Sequence, residues 1–381
     1  MIVNYQLLII QLSIITYHLS TYQLSIITYP IINYQLSLIQ LSIINYHLSN
    51  YQLSLIQLSI IQLSQIFKYI RDFYQKEFNF FYLLVILCML GLLIYLNYWH
   101  GLEKKLAASG KSGIGGFCAY YLLYAIPFVT AFLLQLFFYK DCTFYRNAWF
   151  WIIVLLAPAF FSFRVNFNFH ENWVISQWPG ANKFFYLRSI NWVVRAFVLL
   201  IPVFIIWWIK DIKSQSFYGT QPLASVQPYL VMLLLMLPLL AWAGTQKDFL
   251  QVYPKVKLLQ HIPVTHWTGY WRQLVFELCY GFDFVSIEFF FRGFLVLSLI
   301  NICGTHCIIP MACFYCTIHF GKPMAEAISS FWGGLLLGII AFNTGSIWGG
   351  LIVHLGIAWL MEAVGWLGGL WVKAVSASFI K

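Results

Sequence analysis

The chain has 381 residues, of which 61% are hydrophobic, 20% aromatic and only 9% charged, against roughly a quarter charged in an ordinary soluble domain. That composition excludes a soluble globular domain, and the wealth of apolar and aromatic side chains excludes a disordered one. The formal charge of +10 arises from 22 basic and 12 acidic residues spread along the whole chain, which leaves no basic stripe for a nucleic-acid partner and suits a charge bias that orients a membrane protein.

In chain order, the first feature is a repeat. From Tyr5 to about Gln65 the sequence runs through variants of Tyr-Gln-Leu-Ser-Ile-Ile-Asn/Thr, with no Lys, Arg, Asp or Glu before Lys68. A seven-residue period suggests a coiled coil, but such a seam needs charged flanks beside its apolar positions, and none are present. The genetic code gives a simpler origin: three copies of TATCAAT read Tyr-Gln-Leu-Ser-Ile-Ile-Asn. Residues 1–66 are therefore expected to be a low-complexity repeat, a translated DNA repeat or disordered, with a slippage-prone leader that switches expression and a folded element as the alternatives.

Beyond it lie apolar segments long enough to cross roughly 30 Å of hydrocarbon. They run from Phe78 to Tyr98, Gly116 to Phe138, Ala148 to Phe163, Trp192 to Ile209, Tyr229 to Gly244 and Leu274 to Ile300. Three shorter or more glycine-rich ones follow, Ile308 to Phe320, Ala327 to Phe342 and Ile347 to Trp366. The expected fold class is an all-α polytopic integral membrane protein with about eight to nine transmembrane helices. Its expected regions are N-terminal spans over 67–245, a basic loop over 246–272, a helical core over 273–366 and a tail over 367–381. Loops near residues 105, 175 and 255 are more basic than those between them, which predicts that they face the cytoplasm. The eight cysteines lie mostly in or beside apolar runs and read as reduced thiols rather than a disulfide framework.

Ionisable groups inside a span cost several kcal/mol unless paired, so they mark candidate sites. The long sixth segment carries Glu277, Asp283, Glu288 and Arg292. Glu288 and Arg292 stand four apart, one turn along a helix face, where carboxylate and guanidinium can pair. Alone, such a pair reads equally as a structural device that neutralises itself. Two histidines, His319 and His354, then fall in later segments. A carboxylate with an imidazole can activate water as a general base, and a second imidazole can donate to a developing oxyanion.

These residues resemble a known family. Glu288-Phe-Phe-Phe-Arg292-Gly293, then Tyr315 four before His319, then His354 with a small residue following, is similar to the CPBP intramembrane endopeptidases, which comprise CAAX prenyl proteases and bacteriocin-processing and immunity proteins. The resemblance covers about residues 270 to 366. It implies a metal-independent glutamate protease with no cofactor, whose motifs run Glu-Glu-x-x-x-Arg, Phe-x-x-x-His and His-x-x-x-Asn or a similar polar residue. Carried over, Glu288, His319 and His354 are the catalytic candidates, with Arg292, Asp283 and Tyr315 in support. His319 is the histidine expected to help activate water, and His354 the one expected at the oxyanion.

Three positions depart from the pattern. Ile287 replaces the first glutamate, Tyr315 replaces the phenylalanine while keeping a ring, and Ala358 replaces the last polar residue. Three outcomes stay open: Glu288 takes over as base, Asp283 reaches the water from one turn away, or the fold persists without hydrolysis as a membrane binding or immunity protein. Glu326, behind Gly321-Lys322-Pro323, reads as a helix-start carboxylate paired with Lys322, and Glu362 as a partner for Arg292. Zinc at Cys303, His306, Cys307, Cys313 and Cys316 is not favoured, since the His-Glu-x-x-His pattern is absent. A transporter is disfavoured by the lack of an inverted pair of interrupted helices. The expected partners are a peptide or protein substrate at the membrane and the lipid bilayer. The expected location is a bacterial inner (cytoplasmic) membrane.

Overall fold

A computed structural model describes residues 63–378, apart from 110–112 and 260–266, together with scattered positions of the first 62. The repeat tract thus lies almost wholly outside the described residues. Residues 64–381 form one compact unit, helical throughout, with no β-strand among the described residues beyond a single bridge between Thr220 and Ser346.

Among the described residues, nine helices carry the architecture: α1 (Phe80–His100), α2 (Ile114–Phe138), α3 (Ala148–Asn166), α4 (Lys183–Ile206), α5 (Gln227–Ala243), α6 (Trp267–Glu288), α7 (Ile308–Thr317), α8 (Met324–Thr344) and α9 (Trp348–Ser378). Their ends follow local chemistry. The Asn79 side chain accepts from the Tyr82 N–H at the start of α1, and Gly101 takes the left-handed conformation that ends it, the arrangement that satisfies orphan helix-end groups. Pro127, Pro158 and Pro202 lie inside α2, α3 and α4, tolerated in spans because neighbouring helices re-satisfy the freed carbonyls.

Among the described residues, seven helical stretches are long and apolar enough to cross a membrane, or eight if a bent pair counts as one span. The nine-segment division changes at two places. The segment Ile308 to Phe320 contains only the ten-residue α7, all ten residues of which are buried. At 1.5 Å per residue a helix of that length covers about half the hydrocarbon thickness, so α7 is an interior half-helix whose apolar side chains face protein. The segment Tyr229 to Gly244 is α5, which breaks after Ala243 and continues as Lys247–Leu259 at a 94° bend. The stretch expected as a basic loop therefore holds a short helix, Lys247–Val252, and a 3-10 turn, Lys255–Leu259.

After Glu288 the α-helix widens into a π-helical run, Phe289–Leu297. Every residue in it is buried, and Phe290 and Phe291 interlock with Phe161 of α3 and Phe314 of α7 at ring-centroid separations of 5.2 to 5.9 Å, with Phe294 packed on Phe290 at 5.9 Å. Wide π turns recur at functional sites, where they re-aim side chains. Here the run sets Arg292 beneath α7.

Candidate active site

The site is assembled from the end of α6, the π-helical run, α7 with the turn after it, and α9. Glu288 and Arg292 pair across one turn, with the Arg292 Nη1 donating to Glu288 Oε1 at 2.9 Å, and both side chains are fully buried. The same oxygen accepts from His354 Nδ1 at 2.8 Å. A carboxylate can only accept, so the Nδ1 of His354 carries a proton. Its Nε2 lies 3.0 Å from the Tyr315 hydroxyl. In neutral His354 that nitrogen is an acceptor, and the phenol is the donor. Arg292 also lies over the Tyr315 ring, 4.4 Å from its centroid.

Gly350 stands one turn before His354 on α9, and a Cβ there would fall 2.6 Å from Glu288 Oε2. Only glycine lets the α9 backbone come this close to the carboxylate. Oε2 itself has no hydrogen bond among the described residues, nor do Nε and Nη2 of Arg292.

His319 lies outside the spans, in the turn between α7 and α8. That turn is pinned by α1: Asn97 donates to the Phe320 carbonyl at 2.9 Å and Tyr98 to the Lys322 carbonyl at 2.8 Å. His319 Nδ1 sits 2.8 Å from the Tyr315 carbonyl, which places the ring proton there and leaves Nε2 as an acceptor. Burial, then the nearby Lys322 charge, push the imidazole from its ordinary value of 6.5 down to about 4. His319 is therefore neutral at neutral pH.

A cavity of about 240 Å³ joins these groups. Arg292, Tyr315, His319 and His354 line it, together with Lys322, Glu326, Tyr253 and Tyr280, and its apolar wall comes from α5 and α9 through residues such as Leu239, Leu240, Ala358 and Met361. Neither Glu288 nor Ile287 lines it. Glu288 meets the cavity through His354, and Ile287 packs in the main apolar core.

The remaining acidic residues resolve individually. Asp283 pairs with Arg164 of α3 and is not brought to the cavity. Glu326 pairs with Lys322 at 2.7 Å, and the Tyr253 hydroxyl sits 3.2 Å from its Oε2. Glu362 does not reach Arg292. Its two oxygens accept the backbone N–H groups of Lys255 and Val256 at 2.7 and 3.1 Å, because those N–H groups open a 3-10 turn with no partner of their own. Sequence reasoning missed Lys322, Glu326 and Tyr253 as cavity residues. The first two were visible as a pair four apart, whereas nothing local marks Tyr253, 69 positions before its Lys322 partner.

Chemically, the cavity offers a neutral imidazole with a free acceptor nitrogen, a buried guanidinium with unused N–H groups, and a carboxylate–imidazole–phenol chain. These are the parts of a water-activating and oxyanion-stabilising site. Residues 271–360 match the type II CAAX prenyl endopeptidase Rce1-like family, which supports the CAAX-protease resemblance carried by the motifs. No curated protein and no solved structure matches the chain.

Proposed function

We propose that this integral membrane protein is a CAAX-protease-like intramembrane endopeptidase, hydrolysing a peptide bond of a membrane-associated protein or peptide with water activated by its glutamate and histidines. The observation that carries the reading is the convergence of His319, His354, Arg292 and Tyr315 on one cavity, with Glu288 fixed behind His354. The free Nε2 of His319 orients the attacking water. Glu288 supplies base strength through His354 rather than by contact, since a carboxylate hydrogen-bonded to Nδ1 stabilises the imidazolium that forms when Nε2 takes a proton. The unused N–H groups of Arg292 suit the negative charge of the tetrahedral intermediate.

Ile287 favours a second reading, a binding or immunity protein on the same scaffold, because the motif's first carboxylate is missing and the second is enclosed. The two readings separate in membrane proteomes of cells carrying wild type, His319→Ala or Glu288→Gln at equal expression. Endopeptidase activity predicts peptide termini present with wild type and lost in both variants. Identical termini in all three would refute it in favour of the binding protein.

A further inference from the structure

The hydrogen-bond arithmetic of His354 leaves a gap between that histidine and the substrate. Its Nδ1–H is committed to Glu288 and its Nε2 to the Tyr315 hydroxyl, so no nitrogen of a neutral His354 is free to meet a water in the cavity. Tyr315, whose hydroxyl ends this chain of hydrogen bonds, lines the cavity beside His354. This position is where the motif's phenylalanine would place a bare ring edge.

The ring is held on several sides. Arg292 covers one face at 4.4 Å, and Phe291 and His319 meet it edge-on at centroid separations of 4.9 and 4.8 Å. Gly334 of α8 lies so close that a Cβ there would stand 3.0 Å from Tyr315 Cδ1. A phenol so held, hydrogen-bonded to an imidazole that a carboxylate orients, has the nucleophile–base–orienter geometry that activates hydroxyl groups.

We propose that Tyr315 is a catalytic residue of this site, a proton shuttle that connects the Glu288–His354 pair to the attacking water and takes the place of the carboxylate missing at Ile287. The inference rests on the endopeptidase reading. As the water oxygen bonds to the scissile carbonyl carbon, one water proton moves to the Tyr315 oxygen and the phenolic proton moves to His354 Nε2. As the C–N bond breaks, Tyr315 passes its proton to the leaving amine nitrogen and His354 returns its own to Tyr315. One water is consumed, its hydroxyl ends on the acyl carbon and its proton on the amine, and the three side chains finish as they began.

Tyr315→Phe is the direct test, because it keeps the ring and its packing and removes only the hydroxyl. Termini generated by the wild type should fall at least about 100-fold in Tyr315→Phe, the lower end of what a positioned acid–base group contributes. Wild-type yield from Tyr315→Phe overturns the shuttle and leaves the endopeptidase standing. No termini even with wild type overturns the endopeptidase and the shuttle with it.

A second measurement needs no substrate. An aryl sulfonyl fluoride bonds its sulfur to an activated phenol oxygen, releasing fluoride while the phenolic proton passes to His354. Mass spectrometry of the full-length protein should find Tyr315 modified at least about tenfold faster than Tyr253 and Tyr280 of the same cavity, with the advantage lost in His354→Gln. A rate at Tyr315 equal to theirs, or unchanged in His354→Gln, overturns the proposal.

Discussion

Replacing Glu288 with Gln changes almost no volume and removes one charge, which isolates what that charge does for the fold. Glu288 is the one ionic partner of Arg292 among the described residues, and both side chains are fully buried. Two hydrogen bonds end on its Oε1, from Arg292 and His354. In the amide each loses its charge assistance, about 1 kcal/mol apiece. The larger effect is the guanidinium left without a counter-ion, and breaking one side of a buried pair costs about 3–5 kcal/mol, a figure that already contains the weakened hydrogen bonds. The Tyr315 ring under Arg292 offsets this by about 2 kcal/mol at most, even for a desolvated cation–π contact, so destabilisation wins. Glu288→Gln should lose about 3 kcal/mol of unfolding free energy in mixed micelles. The double variant Glu288→Gln/Arg292→Gln should recover much of that loss, with a coupling energy of about 2 kcal/mol. A single variant within about 1 kcal/mol of wild type, or additive effects in the cycle, would refute the reasoning that the two charges neutralise each other in the core.

Asp283→Asn should separate stability from catalysis: it exposes the buried Arg164 to the loss of its partner, costing about 3 kcal/mol, while wild-type peptide termini persist in the membrane proteome. Because the folded-state pKa of His319 lies near 4, below the ordinary 6.5, the unfolded chain binds the extra proton first. Stability should therefore be lost as pH falls from about 6.5 through 4 and be flat above, and His319→Gln should flatten that acid limb in a pH series of denaturation curves. Glu362→Gln weakens two charge-assisted bonds to the N–H groups of Lys255 and Val256 and should cost about 1–2 kcal/mol. Hydrogen exchange at those two amides should rise, and unchanged exchange would show that the cap is not holding the turn.

Much of this was legible in the residue order. Runs of about 20 apolar residues mark helices in a bilayer because a helix satisfies its own backbone, and α1 to α4 appear close to where such runs lie. The Glu288–Arg292 pair was legible for the same local reason, since residues four apart share a helix face. His319 and His354 stood out because imidazoles are rare in apolar segments. What the order of residues does not encode locally is which face of one helix meets which face of another. Nothing near residue 308 says that α7 is enclosed on every side, because an interior half-helix and a lipid-facing span are equally apolar. Asp283 and Arg164 lie 119 positions apart, and their pairing takes Asp283 out of contention as a base. The step from Phe to Tyr at 315 looks like a gain of one oxygen on a ring of nearly the same size. Only when α9 is packed against α6, with Gly350 admitting its backbone to Glu288, does that oxygen arrive 3.0 Å from His354. Helical periodicity sets the direction of a side chain about its own axis, and the packing of separate helices sets what waits there to receive it.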